Sequence, residues 1–121
     1  MATKEEVLAF LNQFTQKMGV FGIRFLDRAK NNDSLGIIDL PAFKREEEEV
    51  KKIEVTDYSE GPIPNTLNDY GDLWVFGRDI RGKEVYIKIS IDKENNHTIC
   101  ISFHVAEYPM HYPFKQKGEK R

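Results

Sequence analysis

Two runs in the second half of the chain alternate between hydrophobic and polar residues. Successive side chains of a β-strand point to opposite faces, so residues 84–91 and 98–104 are predicted to be strands. Their apolar set is Val85, Ile87, Ile89, Ile91, Ile99, Ile101 and Phe103. The polar set, predicted to share the opposite face, is Tyr86, Lys88, Ser90, Cys100, Ser102 and His104. Simple polar residues are enough to keep a sheet face soluble, so this richer set favours a surface that receives an anionic, ring-bearing ligand such as RNA.

Apolar residues recur at helical spacing from the N-terminus onward. Thr3 and Glu6 fit a capping box, and the positions after them predict a helix over residues 4–17. Gly19 is predicted to end this helix. A second helix is predicted over residues 41–53, because it starts with a proline and carries a run of glutamates suited to a solvated face.

The segments between and after the helices predict short strands and one long loop. Residues 20–25 predict a strand, whereas 34–40 fits either a helix or a strand. The stretch 56–71 is rich in Gly, Pro, Asn and Asp and predicts an ordered loop. Residues 73–80 predict a strand that the dipeptide Arg81-Gly82 joins to the next strand as a hairpin.

Prolines near the C-terminus limit what can follow the last strand. Pro109 and Pro113 exclude a regular helix, so residues 107–114 are predicted to lie extended against the domain. The helices must cover the apolar face of the sheet. The predicted fold class is therefore α+β, with N-terminal helices packed on one face of a small antiparallel β-sheet whose other face is open. We expect one domain over residues 1–114 and a disordered tail over 115–121.

The composition agrees with one soluble globular domain: 121 residues, 40% hydrophobic and 31% charged. No apolar run approaches the roughly 20 residues that a membrane-spanning helix needs. The N-terminus is acidic rather than signal-like, so we expect a cytoplasmic location. The single cysteine, Cys100, excludes an internal disulfide and is expected to be an inert packing residue.

The net charge disfavours a nucleic-acid ligand, but the distribution of charge is uneven. The formal net charge is −2, whereas proteins that contact backbone phosphates are usually basic. Residues 76–121 contain 9 Lys and Arg against 6 Asp and Glu. The predicted polar face therefore lies in the net-basic part of the chain.

Several segments in about the last half of the chain resemble the MqsR family of type II toxins. The most specific are Val85-Tyr86-Ile87-Lys88-Ile89 and Ile101-Ser102-Phe103. The others are Asp57-Tyr58-Ser59-Glu60-Gly61-Pro62, Leu73-Trp74-Val75-Phe76-Gly77 and residues 106–114. The resemblance implies a RelE-like fold and a metal-independent endoribonuclease that cleaves messenger RNA. It also implies neutralisation by a cognate antitoxin protein, which we expect to bind DNA.

The resemblance places particular residues in particular roles. Tyr86 falls on the family's active-site tyrosine. His104 falls where better-known members have a lysine at the end of the last strand. The chain departs from the family at two positions: Val75 replaces a glutamine, and Glu60 lies near the position of another family lysine.

Metal-free cleavage of RNA can use the ribose 2′-OH as nucleophile, so the protein must move protons at two oxygens and stabilise charge on the phosphate. His104 is predicted to be the general base or acid. Tyr86 would donate to the leaving oxygen or stack on a base. Lys88 completes the predicted catalytic set, because its charge would hold the phosphate.

Three further residues are predicted to bind RNA. Arg78 and Arg81 would help to hold the phosphate, and His111 would join them if the proline-bounded segment folds back over the sheet. We expect no cofactor and no metal. The spacing of His104, Glu107 and His111 does not fit a helical zinc site.

The same residues fit less specific roles. Tyr86 can pack across strands, and Lys88 can simply solubilise a sheet. The alternative function is a non-catalytic module that binds protein or RNA on the open sheet face. A third hypothesis is a small-ligand site in the cleft between residues 58–70 and the sheet. Motifs of serine hydrolases, P-loop proteins and dithiol redox proteins are absent from the sequence.

Overall fold

The structure is a computed structural model that describes residues 1–25, 43–65, 71–92 and 96–115. Its elements are α1 (Lys4–Phe21), β1 (Ile23–Phe25), α2 (Phe43–Lys51), a 3₁₀ turn (Val55–Asp57), β2 (Tyr58–Ile63), β3 (Leu73–Ile80), β4 (Lys83–Ile91) and β5 (Thr98–Val105). α2 lies inside the range predicted for the second helix. The expectations for residues 27–41 and for the tail from 116 onward lie outside the described residues. No helix within the described ranges is long and apolar enough to cross a membrane.

A five-stranded sheet in the order β1-β5-β4-β3-β2 forms the centre of the fold. Strands β2 to β5 pair antiparallel, whereas β1 pairs parallel to β5, with Ile23 opposite Thr98. The α+β class is confirmed, but the sheet is mixed rather than antiparallel. Alternation identifies a strand and not its partner, so the sequence pattern contained no information on the direction of β1.

α1 begins as predicted and continues past its predicted end. The Glu6 amide donates to Thr3 Oγ1 at 3.1 Å, and the Thr3 amide donates to Glu6 Oε1 at 2.8 Å, which is the predicted capping box. Gly19 does not end the helix, because glycine costs a helix interior only about 1 kcal/mol. The end is at Gly22, whose φ of 76° favours glycine and whose amide donates to the Met18 carbonyl at 2.8 Å.

β2 corrects the prediction of a loop over residues 56–71. Tyr58–Ile63 pairs antiparallel with β3, and Glu60 lies opposite Val75. The register shifts twice along this pair, so the strand has no regular period. Pro62 cannot donate to a ladder, which fits a strand at the edge of the sheet. The Gly- and Pro-rich composition therefore concealed an irregular edge strand.

β3 and β4 form the predicted hairpin with the predicted bounds. Both turn residues have positive φ, 54° at Arg81 and 81° at Gly82. A two-residue turn with positive φ at both positions matches the twist of the flanking strands. Asp79 Oδ1 also accepts a hydrogen bond from the Gly82 amide at 2.9 Å, which fixes the turn.

A β-bulge interrupts the pairing of β4 with β5. Lys88 lies opposite Ser102, but the next pair is Ile89 with Cys100. Ile101 is thus an extra residue in β5, and the alternation of that strand shifts at this point.

The bulge reverses two predicted orientations. Cys100 belongs to the hydrophobic core and is fully buried, and it does not lie on the open face as predicted. Ile99 lies opposite Ser90, on the face away from that core, rather than with the apolar set. Strict alternation fails here because one inserted residue exchanges the faces of all residues on its far side.

The core lies between α1 and one face of the sheet. α1 contributes Val7, Leu11, Phe14 and Met18, and the sheet contributes mainly Phe76, Val85, Ile87, Ile89, Cys100 and Phe103. Full burial of an aliphatic or aromatic side chain is worth about 1.5–3 kcal/mol, so this layer carries much of the stability. α1 packs on one face only, which leaves the opposite face for other contacts.

Residues 106–115, here named the crossing segment, run back over that opposite face. Its first amide, that of Ala106, donates to the Glu84 carbonyl at 2.8 Å. Near its far end the Phe114 ring stacks on Tyr58, with ring centroids 5.2 Å apart, and because Tyr58 belongs to the core this end of the segment reaches the core side at the β2 edge. The segment therefore spans the sheet from β4 to β2, packed against the domain as predicted.

Gly77 makes room for the middle of the crossing segment. A Cβ at this position would collide with Tyr112 Oη and would lie 2.8 Å from Met110 Sδ. Only a residue without a side chain lets these two groups rest directly on β3.

Candidate active site

A pocket of about 580 Å³ lies between the crossing segment and the sheet face opposite α1. This face was predicted to be open, but it is largely covered, since Ser102 and His104 on it are buried. Its floor consists of Tyr86, Lys88, Ser102 and His104, one wall is β2 with Ser59 and Glu60, and the other wall is residues 106–111. The pocket therefore gathers all three residues predicted to be catalytic, together with His111.

The register of the sheet places the two predicted proton-transfer groups side by side. Tyr86 lies directly opposite His104 in β5 and opposite Gly77 in β3. The two rings are stacked, with centroids 5.1 Å apart and planes at 18°. Directly opposite residues of an antiparallel pair have Cβ atoms about 5 Å apart, so the ring contact follows from the register.

His104 is held in one orientation. Its side chain is nearly buried, and Nδ1 lies 3.0 Å from the carbonyl oxygen of Val105. A carbonyl can only accept, so the proton of the neutral ring is assigned to Nδ1 and Nε2 keeps the lone pair. His104 therefore offers Nε2 as its basic nitrogen.

Tyr86 offers a neutral donor beside that base. Burial, and secondarily the negative charge of Glu60, raise the pKa of the Tyr86 phenol above its ordinary value of 10.0. The phenol consequently stays protonated at neutral pH. Lys88 Nζ lies 5.9 Å from the centroid of the same ring, within the range of a cation–π contact.

Glu84 is a residue of this region that the sequence analysis missed. Its carboxylate accepts a hydrogen bond from Tyr112 Oη at 2.6 Å and one from the Met110 amide at 3.2 Å, and thereby holds the crossing segment. A signal existed, because Glu84 shares its parity with Tyr86 and Lys88 along the predicted strand. The remaining unpredicted lining residues include Ser59, Glu107, Tyr108 and Met110.

Arg78 and Arg81 do not line the pocket. Arg78 points to the same face of β3 as the core residues. Its Nη1 is 3.2 Å from Asp57 Oδ2, and its Nε is 3.5 Å from Glu49 Oε1. Arg81 lies in the β3–β4 turn. Parity along β3 could have separated Arg78 from the open face, because it differs by two residues from the core residue Phe76.

The two departures from the MqsR pattern are neighbours in the sheet. Glu60 lies opposite Val75, which in turn lies opposite Lys88. Glu60 forms part of the pocket wall, so a negative charge stands close to Tyr86. The pocket thus combines a cation and an acidic rim.

A second cavity, of about 530 Å³, lies between one side of α1 and the strand ends near residues 62, 71–74, 91–92 and 96. Phe10 and Trp74 line it, with their rings stacked at 4.5 Å, and none of the predicted site residues does. The small-ligand cleft expected beside residues 58–70 falls partly on 66–70, which are outside the described residues. Within the part of the chain that is described, no group of three or more His, Cys, Asp or Glu could hold a metal ion.

Comparisons of the chain with protein-family profiles, with curated proteins and with solved structures find no match. The chemistry of the pocket and the resemblance in the sequence therefore carry the functional argument.

Proposed function

We propose that the protein is a metal-independent endoribonuclease of the MqsR-like toxin type, acting on single-stranded messenger RNA. The observation that carries this proposal is the stacked pair of Tyr86 and His104 beside Lys88 in one pocket. A base, a neutral donor and a cation are the three groups that cleavage through the 2′-OH requires. An α1-covered sheet with one face used by the site is also consistent with a RelE-like fold.

The groups divide the chemistry as follows. Nε2 of neutral His104 accepts the proton of the ribose 2′-OH, the 2′-oxygen attacks phosphorus, and the P–O5′ bond breaks so that O5′ takes up a proton and leaves as a 5′-hydroxyl. The Tyr86 phenol donates a hydrogen bond to a phosphate oxygen, and Lys88 balances the charge that develops there. General-base catalysis of this kind is typically worth about 10²–10⁴-fold in rate.

The shape of the pocket favours single-stranded RNA over a duplex. Unstacked bases of single strands can be turned out and stacked on protein rings. The paired rings on the floor and the exposed Tyr108 at the wall supply such surfaces. A base-paired nucleotide would not present the faces of its base to the floor.

The toxin assignment adds a protein partner to this chemistry. A cognate antitoxin that binds DNA would neutralise the enzyme in the cytoplasm. Support for this partner comes from the sequence resemblance alone, whereas the cleavage chemistry also has the support of the pocket.

The experiment that tests the enzyme is cleavage of an unstructured RNA by the purified chain in the presence of EDTA. We expect cleavage products with 2′,3′-cyclic phosphate and 5′-hydroxyl ends. His104→Ala should lower the rate by about 10²-fold or more, because it removes the base. His97→Ala is the matched control, since His97 contacts the Phe21 ring and does not line the pocket.

If RNA stays intact at high protein concentration, the protein is not a ribonuclease. If His104→Ala and His97→Ala lower the cleavage rate equally, the pocket is not the active site. The second candidate is then a non-catalytic module that binds RNA or protein in the same pocket. The acidic rim formed by Glu60 and Glu107 and the net charge of −2 favour it. This alternative would be established if the protein binds RNA without cutting it and if substitution of Lys88 weakens that binding.

A further inference from the structure

One carboxylate fixes the crossing segment on both sides of His111. Glu84 Oε1 accepts a hydrogen bond from the Met110 amide at 3.2 Å, and Glu84 Oε2 accepts one from Tyr112 Oη at 2.6 Å. Met110 and Tyr112 are the immediate sequence neighbours of His111. Both also rest on Gly77, where a side chain would displace them. The backbone that carries His111 is therefore tied down at two adjacent points.

This arrangement places a second histidine, which is exposed to solvent, at the wall of the pocket. His111 lines the same cavity as His104, although it comes from a different element. Cleavage through the 2′-OH needs a proton acceptor and also a proton donor for the departing 5′-oxygen. Tyr86 is better suited to donate a hydrogen bond than to release its proton, because burial favours the protonated phenol. With Tyr86 and Lys88 assigned to the phosphate oxygens, the floor of the pocket leaves the role of proton donor open.

We infer that His111 is a second catalytic residue, which protonates the departing 5′-oxygen, and that Glu84 is its positioning residue. This inference rests on the proposed ribonuclease function. In the step, neutral His104 takes the 2′-OH proton, the O2′–P bond forms, the P–O5′ bond breaks, and the imidazolium of His111 gives its proton to O5′. The products are a 2′,3′-cyclic phosphate and a 5′-hydroxyl. Proton exchange with water restores both rings.

The rate should consequently depend on pH as a bell-shaped curve, since one imidazole must be neutral and the other protonated. The acid limb reports His104 and the alkaline limb reports His111. The other titratable groups that line the described pocket are Glu60 from β2, Tyr86 and Lys88 from β4, and Glu107 and Tyr108 from the crossing segment.

Two substrates with different leaving groups distinguish the role of the proton donor from that of the general base. The first is a ribodinucleotide, whose 5′-alkoxide leaving group needs a proton. The second is a ribonucleoside 3′-(p-nitrophenyl phosphate), whose phenolate leaves without one. We expect His111→Ala to lower the rate on the first substrate by about 10²-fold, to leave the second nearly unchanged, and to remove the alkaline limb. His104→Ala should slow both substrates, and His97→Ala should slow neither.

The outcomes distinguish the two proposals. Cleavage by the wild type with equal effects of His111→Ala on both substrates, or with no effect, would overturn the role of His111 and leave the ribonuclease intact. Cleavage of neither substrate by the wild type would overturn the ribonuclease itself, and the inference with it.

Glu84 is tested through its coupling to His111. Glu84→Ala should lower kcat on the dinucleotide without a matching change in KM, and Glu84→Gln should recover part of it, because an amide oxygen still accepts one hydrogen bond. Adding Glu84→Ala to His111→Ala should cost nothing further. Additive losses would refute positioning. Tyr112→Phe, which removes the hydrogen bond from Tyr112 Oη to Glu84, gives the same test if Glu84→Ala fails to fold.

Discussion

At the scale of single residues, the environment of Tyr86 determines which protonation state the pocket holds. Burial and the nearby Glu60 charge raise the pKa of the phenol in the folded protein above that of the unfolded chain. The folded state therefore binds this proton more tightly. The resulting contribution to stability is complete below about pH 10, where the unfolded phenol begins to ionise, and is lost as pH rises toward the folded-state pKa.

Tyr86→Phe removes the loss of folding stability that ionisation of this phenol causes at alkaline pH. We expect wild type and variant to differ in unfolding free energy by a constant amount near pH 8, and the difference to shift in favour of the variant above pH 10. Urea unfolding at pH 8 and pH 10.5 measures it. If both proteins lose the same stability between these two conditions, Tyr86 is not shielded as the structure describes.

At the scale of elements, the crossing segment depends on the missing side chain at Gly77. Gly77→Ala places a Cβ against Tyr112 Oη and Met110 Sδ, so the segment must move. We expect a loss of about 1–3 kcal/mol, typical of overpacking, and faster hydrogen exchange at the amides of 106–112. Because His111 moves with this segment, RNA cleavage should fall as well.

Gly19→Ala is the matched control for this substitution. A Cβ at Gly19 meets nothing within 4 Å, and the residue lies inside α1. Alanine there should stabilise the protein by about 0.5–1 kcal/mol, with unchanged exchange in the crossing segment. Faster exchange of that segment in both variants would show that the effect is not local to Gly77.

Elements with local signals were predictable, and elements defined by distant contacts were not. The β3–β4 hairpin follows from a Gly-containing turn, and the start of α1 follows from Thr3 and Glu6. In contrast, β2 is recognisable only by its pairing with β3, since Pro62 and two register shifts remove its period. The bulge at Ile101 likewise leaves no compositional trace, so Cys100 was assigned to the wrong face.

The candidate site divides in the same way. Tyr86, Lys88 and His104 were predictable because two strands with known parity determine their face. Alternation along β4 also indicated the face of Glu84, but its partners Met110 and Tyr112 and the wall of 106–111 depend on the path of a segment without periodicity. Arg78 was predicted to bind RNA because of its charge. Its side chain instead forms ion pairs with Glu49 and Asp57, away from the pocket.

At the scale of the whole molecule, the acidic net charge of −2 limits how the proposed RNA ligand can be held. Affinity for single strands falls with salt with a log–log slope of about −0.7 for each phosphate neutralised. Lys88→Met should therefore make the slope shallower by about 0.7. Lys4→Met, on the first turn of α1, should leave it unchanged. Filter binding or fluorescence anisotropy between 50 and 200 mM salt measures both, and equal slopes for the two variants would remove Lys88 from the phosphate contact.

The fully buried Cys100 has a practical consequence for following the molecule in solution. It is the chain's only sulfhydryl, and it sits on the core side of β5 between α1 and the neighbouring strands. A thiol-reactive dye can reach it only when α1 and the sheet separate, so the rate of thiol modification measures the rate at which the core opens. A cysteine introduced on the surface would react at once, and the two sites could carry different labels without further engineering.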